Sequence, residues 1–374
     1  MLTVLTVIGT RPETIKLAPV IRELDKYPQD FRSVVCATAQ HRQMLDRVLE
    51  LFAIETDHDL NIMEPAQELS RLTARLLDGL SAVVTDEKPN WILAQGDTTT
   101  VLASALTAFY HKIPFGHVEA GLRTGDIYHP YPEELNRRIA DRIATLLFAP
   151  TEHSRQVLVR EGIPEESVRV TGNTIVDALM EVAARPYDWA AGPLAGLPGD
   201  HKLVLITAHR RESFGEPLRE ICFALRELAL RFSGDGVHFV YPVHPNPNVR
   251  QPVAEILSGI ANLSLLEPLD YKAMVHLIKR SILILTDSGG IQEEAPSLRV
   301  PVLVMRRVTE RPEGVEAGVV RVVGTDRASI VAETSWLIEN PHARAEMATG
   351  VNPFGDGHAA KRIVSALQEH ANLR

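Results

Sequence analysis

Several short runs in the first half of the chain combine carboxylates, cations and turn residues in a way that suits proton transfer beside a bound anion. The first is Gly9-Thr10-Arg11-Pro12-Glu13-Thr14-Ile15-Lys16. Gly9 allows close backbone approach, Pro12 suits a first helical turn, and the free N–H groups of a helix start attract an anion. Arg11 and Lys16 add positive charge. Gly9 lacks the glycine partners of a dinucleotide fingerprint, so a nicotinamide cofactor is not indicated. In Gln95-Gly96-Asp97-Thr98, Asp97 reads either as a helix N-cap, the commoner fate of such a residue, or as a carboxylate open to a ligand. His117-Val118-Glu119-Ala120-Gly121 supplies a further carboxylate. Glu133 and Arg137 stand four apart, a spacing that also suits a plain surface ion pair on one helix face.

The second half carries a different set. Thr207-Ala208-His209-Arg210 holds an imidazole able to titrate near neutral pH. Tyr241-Pro242-Val243-His244-Pro245 is a proline-stiffened exit. In Thr286-Asp287-Ser288-Gly289-Gly290-Ile291-Gln292-Glu293-Glu294, Ser288, Gly289 and Gly290 expose backbone N–H groups and Glu294 follows one turn later. That pattern suits a diphosphate on the glycines and a ribose diol on the carboxylate. Arg306, Arg307 and Arg311 would neutralise phosphate charge.

These runs need strand ends to hold them. Short β-branched segments alternate with longer stretches of helical period, which predicts a parallel α/β fold. Strands are expected at 3–8, 33–37, 91–94, 115–118, 146–149 and 168–170, then at 203–207, 238–241, 263–265, 282–286 and 302–305. Helices are expected at 13–26, 43–52, 67–87, 98–111, 132–144 and 153–161, then at 217–232, 248–257, 271–279 and 291–297. A loop rich in proline and glycine covers 185–202, and a last helix covers 359–371. In such sheets ligands bind beyond the carboxyl ends of the strands, where these motifs fall.

Bulk properties agree. The 374 residues suit two domains, and 45% hydrophobic with only 5% aromatic residues is the profile of helices packed on buried parallel sheets. A net charge of −9 argues against nucleic-acid binding, which needs a basic stripe. Cys36 and Cys222 stand far apart, giving neither a disulfide framework nor a metal-ligand spacing. With no leader-like start and no apolar run of ~18 residues, a cytoplasmic protein without membrane contact is expected.

The chain resembles the non-hydrolysing UDP-N-acetylglucosamine 2-epimerases of bacteria. The likeness runs through GTRPETIK, TAQHRQMLD, DLNIM, QGDTTT, GHVEAGLRTGD, PEELNR, TGNTIVDAL, HRRESFGEP, YPVHPNPNV, LTDSGGIQEEAPSL and TERPEGV, which span essentially its whole length. The resemblance implies a glycosyltransferase-B type fold: two Rossmann-like domains, 1–172 and 173–356, with the active site in the interdomain cleft and a last helix, 357–374, crossing back to the first. It implies reversible inversion at C2, giving UDP-N-acetylmannosamine, by elimination of UDP to a 2-acetamidoglucal and its re-addition, with no metal or other cofactor. A homodimer is implied too.

By the same resemblance, Asp97, Glu119 and Glu133 share the acid/base work, Arg137 orients Glu133, and Lys16, Arg11 and His209 balance charge on sugar or diphosphate oxygens. Ser288, Gly289, Gly290, Glu294 and Arg311 match the UDP site, and Leu269 and Met274 lie in the uracil-contacting segment, at positions where Gln and Phe occur in other members. Gln40, Gln43, Arg210 and His244 match an allosteric UDP-N-acetylglucosamine site, although Ala66 stands where an Arg helps. The rival readings are a hydrolysing epimerase that releases UDP and N-acetylmannosamine, a retaining glycosyltransferase, and a non-enzymatic nucleotide-sugar sensor.

Overall fold

Helices flank two separate parallel sheets in the computed structural model, which describes residues 1–38, 42–62, 64 and 67–372, with the side chains of 42–44 and 371–372 excepted. The chain divides into two compact units, Met1–Ala178 with Phe354–Arg374, and Leu179–Pro353.

The first unit runs β1 (Leu2–Ile8), α1 (Arg11–Leu24), β2 (Phe31–Ala37), α2 (Arg42–Phe52), β3 (His58–Asp59), α3 (Leu69–Glu87), β4 (Trp91–Gln95), α4 (Thr99–Tyr110), β5 (Phe115–Val118), α5 (Glu133–Ile143), β6 (Leu146–Ala149), α6 (Glu152–Arg160), β7 (Val168–Val170) and the start of α7 (Thr174–Ala184). Its sheet order is β3-β2-β1-β4-β5-β6-β7, every pair parallel. The order reverses direction at β1 and β4, the switch point where open α/β sheets take their ligands. Leu5, Val7, Val34, Cys36, Ile92 and Ala94 pack one face against α3 and α4 through Leu76, Leu80, Val101 and Ala105. Covered on both faces, the central strands read as continuous apolar runs, which made them legible.

The second unit runs β8 (Lys202–Thr207), α8 (Glu216–Arg231), β9 (Val237–Pro242), α9 (Pro247–Leu257), β10 (Leu263–Leu266), α10 (Tyr271–Arg280), β11 (Ser281–Thr286), α11 (Gly289–Glu294), β12 (Val302–Val304), α12 (Pro312–Glu316), β13 (Val320–Val322), α13 (Arg327–Glu339) and α14 (Pro341–Ala348). Its order is β10-β9-β8-β11-β12-β13, again all parallel. Asn246 and Asp270 cap α9 and α10 by accepting from Asn248 N at 2.9 Å and Ala273 N at 2.7 Å.

α15 (Ala359–Asn372) packs on α1 within the first unit. Asp177 of α7 accepts from the N–H groups of Ala359 and Ala360 at 3.2 and 2.9 Å, a carboxylate placed at the positive end of the helix. Asn173 N donates to Phe354 O at 2.6 Å. Among the described residues no helix is long and apolar enough to cross a membrane.

Sequence periodicity missed β3, α7, α12, β13, α13 and α14. α7 buries Ile175, Val176, Ala178, Leu179, Val182 and Ala183, so it has no broad polar face to set a period. On α13 the buried stripe includes Thr334 and Ser335, and Trp336 faces outward, which blurs the helical signal.

Candidate active site

Glu13 braces the switch point of the first sheet. Its Oε2 accepts from Gly9 N at 2.8 Å and Thr10 N at 2.7 Å, while its Oε1 accepts from Thr98 Oγ1. One side chain thus ties the exit of β1 to the exit of β4. Burial pushes its carboxyl up to about 7, against the pull of these hydrogen bonds. A Cβ on Gly9 would collide with Thr100 Oγ1 and come within 2.9 Å of Thr38 Oγ1, so only glycine fits.

Asp97 is not the N-cap that its position favours. Thr98 takes that place at α4, and the Asp97 carboxylate, 30% exposed, pairs with Arg137 Nη2 at 2.5 Å. Asn136 Nδ2 holds the Asp97 carbonyl at 2.9 Å. The expectation that Arg137 orients Glu133 is corrected here: Arg137 reaches from α5 to Asp97, with Glu134 3.5 Å away on its other side. Glu133 at the start of the same helix keeps a buried Oε2 without a hydrogen-bond partner.

Glu119 follows β5 with a left-handed φ of +67°, a conformation that costs a non-glycine residue of order 1–3 kcal/mol. The turn throws its carboxylate against three donors: Lys16 Nζ at 2.5 Å, Asn173 Nδ2 at 2.8 Å and Gln95 Nε2. A Cβ on Gly96 would stand 4.0 Å from Glu119 Oε2, so this carboxylate abuts the turn that carries Asp97. Arg11 is half-buried at the first position of α1. Lys16 with Glu119 and Asp97 with Arg137 therefore form two ion pairs at the ends of the adjacent strands β5 and β4, and Glu133 lies on the helix that supplies Arg137.

In the second unit a buried carboxylate organises the switch point between β8 and β11. Asp287 Oδ2 accepts from His209 N at 2.6 Å and Arg210 N at 2.7 Å, and its Oδ1 lies 3.4 Å from His209 Nδ1. The His209 ring stacks on His244 at 5.4 Å and 13°. Burial pulls the His209 imidazole below its usual range, with Asp287 opposing and His244 and Arg210 adding to the fall. Arg210 and Arg311 converge on Gly289: a Cβ there would lie 3.5 Å from Arg210 Nη2 and 3.9 Å from Arg311 Nη2. Arg311 Nε is held by Glu293, and its backbone by Thr309 Oγ1 at 3.0 Å. Glu294 Oε2 and Ser288 Oγ both lie 3.9 Å from a Cβ placed on Gly290, which groups Ser288, Gly289, Gly290, Glu294 and Arg311.

Other expectations land elsewhere. Arg306 does not face a phosphate site; its Nε donates to Glu212 Oε1 at 2.6 Å, with Glu310 at 3.5 Å. Leu269 is buried in the core beneath α10 and Met274 packs on the same cluster, so both side chains are committed to the core. Gln40 and Ala66 lie outside the described residues, as does the Gln43 side chain. His244 is exposed beyond β9. Among the described residues His58, Asp86 and Glu87 could gather a metal ion, yet Glu87 is already engaged by His58 at 2.8 Å and Arg32 at 2.7 Å.

A family model described as UDP-N-acetylglucosamine 2-epimerase matches residues 22–368. The chain belongs to the UDP-N-acetylglucosamine 2-epimerase family. It is 52% identical over 373 residues to the UDP-N-acetylglucosamine 2-epimerase of Salmonella typhimurium, covering 98% of each chain. The crystal structure of the Neisseria meningitidis UDP-GlcNAc 2-epimerase bound to UDP-GlcNAc superposes with a TM-score of 0.88 at 48% identity, covering 98% of this chain and 100% of the other. The Methanocaldococcus jannaschii enzyme in complex with UDP-GlcNAc and UDP gives 0.79 at 34% identity, covering 98% and 99%. The two-sheet α/β architecture is thus the family's glycosyltransferase-B type fold. Glu13 and Asn173 brace these side chains from afar in the sequence, Asn173 reaching Glu119 across 54 residues and Glu13 reaching Thr98 across 85. Only Glu13 had a local signal, three residues after Thr10 in the spacing of a capping box.

Proposed function

We propose that this protein interconverts UDP-N-acetylglucosamine and UDP-N-acetylmannosamine without hydrolysis. The supporting observation is the gathering of Asp97 and Glu119 at adjacent strand ends with Arg137, Lys16 and the unpartnered Glu133 oxygen. The names and bound ligands of the relatives support the substrate.

In this reading a carboxylate removes the C2 proton, the C1–O bond to UDP breaks, and a C1–C2 double bond forms in a bound 2-acetamidoglucal. UDP then re-bonds to C1 while a second group returns a proton to the opposite face of C2. No ring carbonyl acidifies C2, so the barrier falls through precise placement of the base and charge stabilisation of the departing diphosphate. Asp97, Glu119 and Glu133 share the proton transfers. Lys16, Arg11 and His209 meet sugar and diphosphate oxygens. Ser288, Gly289, Gly290, Arg210 and Arg311 take the diphosphate, and Glu294 takes the ribose diol.

Incubation with UDP-N-acetylglucosamine in deuterated water, followed by proton NMR and mass spectrometry, tests this. A mixture of the two sugar nucleotides with deuterium at C2 and no net UDP release is expected. Accumulating free N-acetylmannosamine would move the protein to the hydrolysing class, and tight binding without exchange would leave a sensor or a transferase.

A further inference from the structure

His117 takes no part in the chemistry proposed above, yet its surroundings dictate its charge. The ring lies on β5 with no exposed surface. Nδ1 stands 2.6 Å from Asp141 Oδ1 on α5, and Nε2 stands 2.7 Å from the Gly96 carbonyl oxygen at the exit of β4. A carbonyl oxygen offers only lone pairs. So does an ionised carboxylate, and Asp141 Oδ2 lies 2.7 Å from the Arg123 guanidinium. A neutral imidazole has one N–H and one lone pair, so it would turn its lone pair on one acceptor. The imidazolium donates to both.

A buried cation needs compensation, and the molecule supplies it. Arg123 Nε and Nη2 donate to Glu161 at 2.9 and 2.7 Å, so charges alternate from His117 through Asp141 and Arg123 to Glu161 at the end of α6. On the remaining face the uncharged Phe115 ring stacks at 6.0 Å. Asp141 and Arg123 are the charged groups that act on the imidazole. Burial lowers its proton affinity, and Asp141 with the Gly96 carbonyl more than reverses that, leaving it above the usual histidine range.

The Gly96 carbonyl that receives this proton belongs to the residue before Asp97. Gly96 has a φ of +87°, and its N–H donates to Val118 O at 3.0 Å, so β5 grips both backbone groups of the turn. Thr98, on the other side of Asp97, is held by Glu13. We propose that His117 is a positioning residue kept as an imidazolium by Asp141, whose Nε2–H pins the Gly96 carbonyl and so sets the direction of the Asp97 carboxylate. This rests on the assignment of Asp97 to the sugar above.

The test uses the full chain uniformly labelled with ¹⁵N, the His117 ring signals being identified by their loss in His117→Gln. In the wild type both ring nitrogens should carry protons at pH 7, above the ordinary histidine range. In Asp141→Asn the ring should titrate about one unit lower or more, and the Asp97 and Thr98 amide signals should move with it. The basic limb of the kcat profile should shift down by a similar amount, with kcat falling about 10-fold at neutral pH, KM nearly unchanged, and rescue by Asp141→Glu. A neutral wild-type imidazole at pH 7, or Asp97 amides indifferent to the titration, would overturn the proposal. Absence of C2 exchange in the wild type would sink the epimerase reading instead, and the NMR results do not depend on it.

Discussion

The two sheets share a switch point of the same design and dress it with opposite charges. In each, a buried carboxylate accepts two backbone N–H groups where the first strand of the unit ends: Glu13 from Gly9 and Thr10, Asp287 from His209 and Arg210. Around Glu13 the structure adds more carboxylates, Asp97 and Glu119, each matched to a cation. Around Asp287 it brings the guanidinium groups of Arg210 and Arg311 to a glycine. Topology dictates where a ligand goes, and the side chains at the strand ends decide which part of it can go there. In the proposed reading, one region moves protons and the other holds an anion.

The sharpest way to break that contrast is to disarm the proton-moving side. Asp97→Asn should lower kcat for C2 exchange by about 10²–10⁴-fold and leave UDP affinity within a factor of about two. A loss of UDP affinity equal to the loss of kcat would show that the two regions do not divide the work.

Glu13→Gln probes the clamp itself. The folded-state value of about 7 lies above the ordinary 4.5, so Glu13 binds its proton more tightly in the folded protein. Its contribution is full below pH 4.5 and is lost as pH rises toward 7. The amide can serve the same three partners, because Thr98 Oγ1 is able to accept. Relative to the variant, the wild type should therefore lose about 3 kcal/mol of unfolding free energy across that window. Denaturant melts at several pH values read this directly, and a pH-independent difference between the two proteins would refute it.

On the anion-holding side, Arg311→Ala should weaken UDP binding by about 10- to 100-fold, the worth of one or two charge-assisted hydrogen bonds. Titration calorimetry should show the loss, and the deuterium exchange rate at saturating substrate should fall too, but by less than in Asp97→Asn, because Arg210 and the glycine N–H groups still meet the departing diphosphate. Asp287→Asn keeps one oxygen for the two backbone N–H donors but removes the charge they and His209 Nδ1 face, and should cost about 1–3 kcal/mol of stability, visible as a lower midpoint in chemical unfolding. If instead it spares stability and abolishes activity, Asp287 is part of the chemistry and the likeness to Glu13 fails.

Much was legible without the structure because local physics repeats. β5 and β6 lie inside the sheet and are buried on both faces, and they begin and end at the residues that the sequence pattern marks; the short edge strand β7 does so too. Proline and glycine marked the 185–202 loop, and the family resemblance reached the fold and the motifs. What stayed hidden lacks a local period, as in α7 and α13, or rests on contact between distant residues. Sequence spacing paired Arg137 with Glu133 across one helical turn, while the fold gave it Asp97, 40 residues away. Lys16 meets Glu119 across 103 residues. The amino-acid order by itself determined the alternation of strand and helix, the motifs and their places at strand ends, since these depend on neighbours along the chain. Which carboxylate each cation holds, and that His117 is donor at both nitrogens, only the tertiary structure decided, because burial and hydrogen-bond direction exist only once strands far apart in sequence lie side by side.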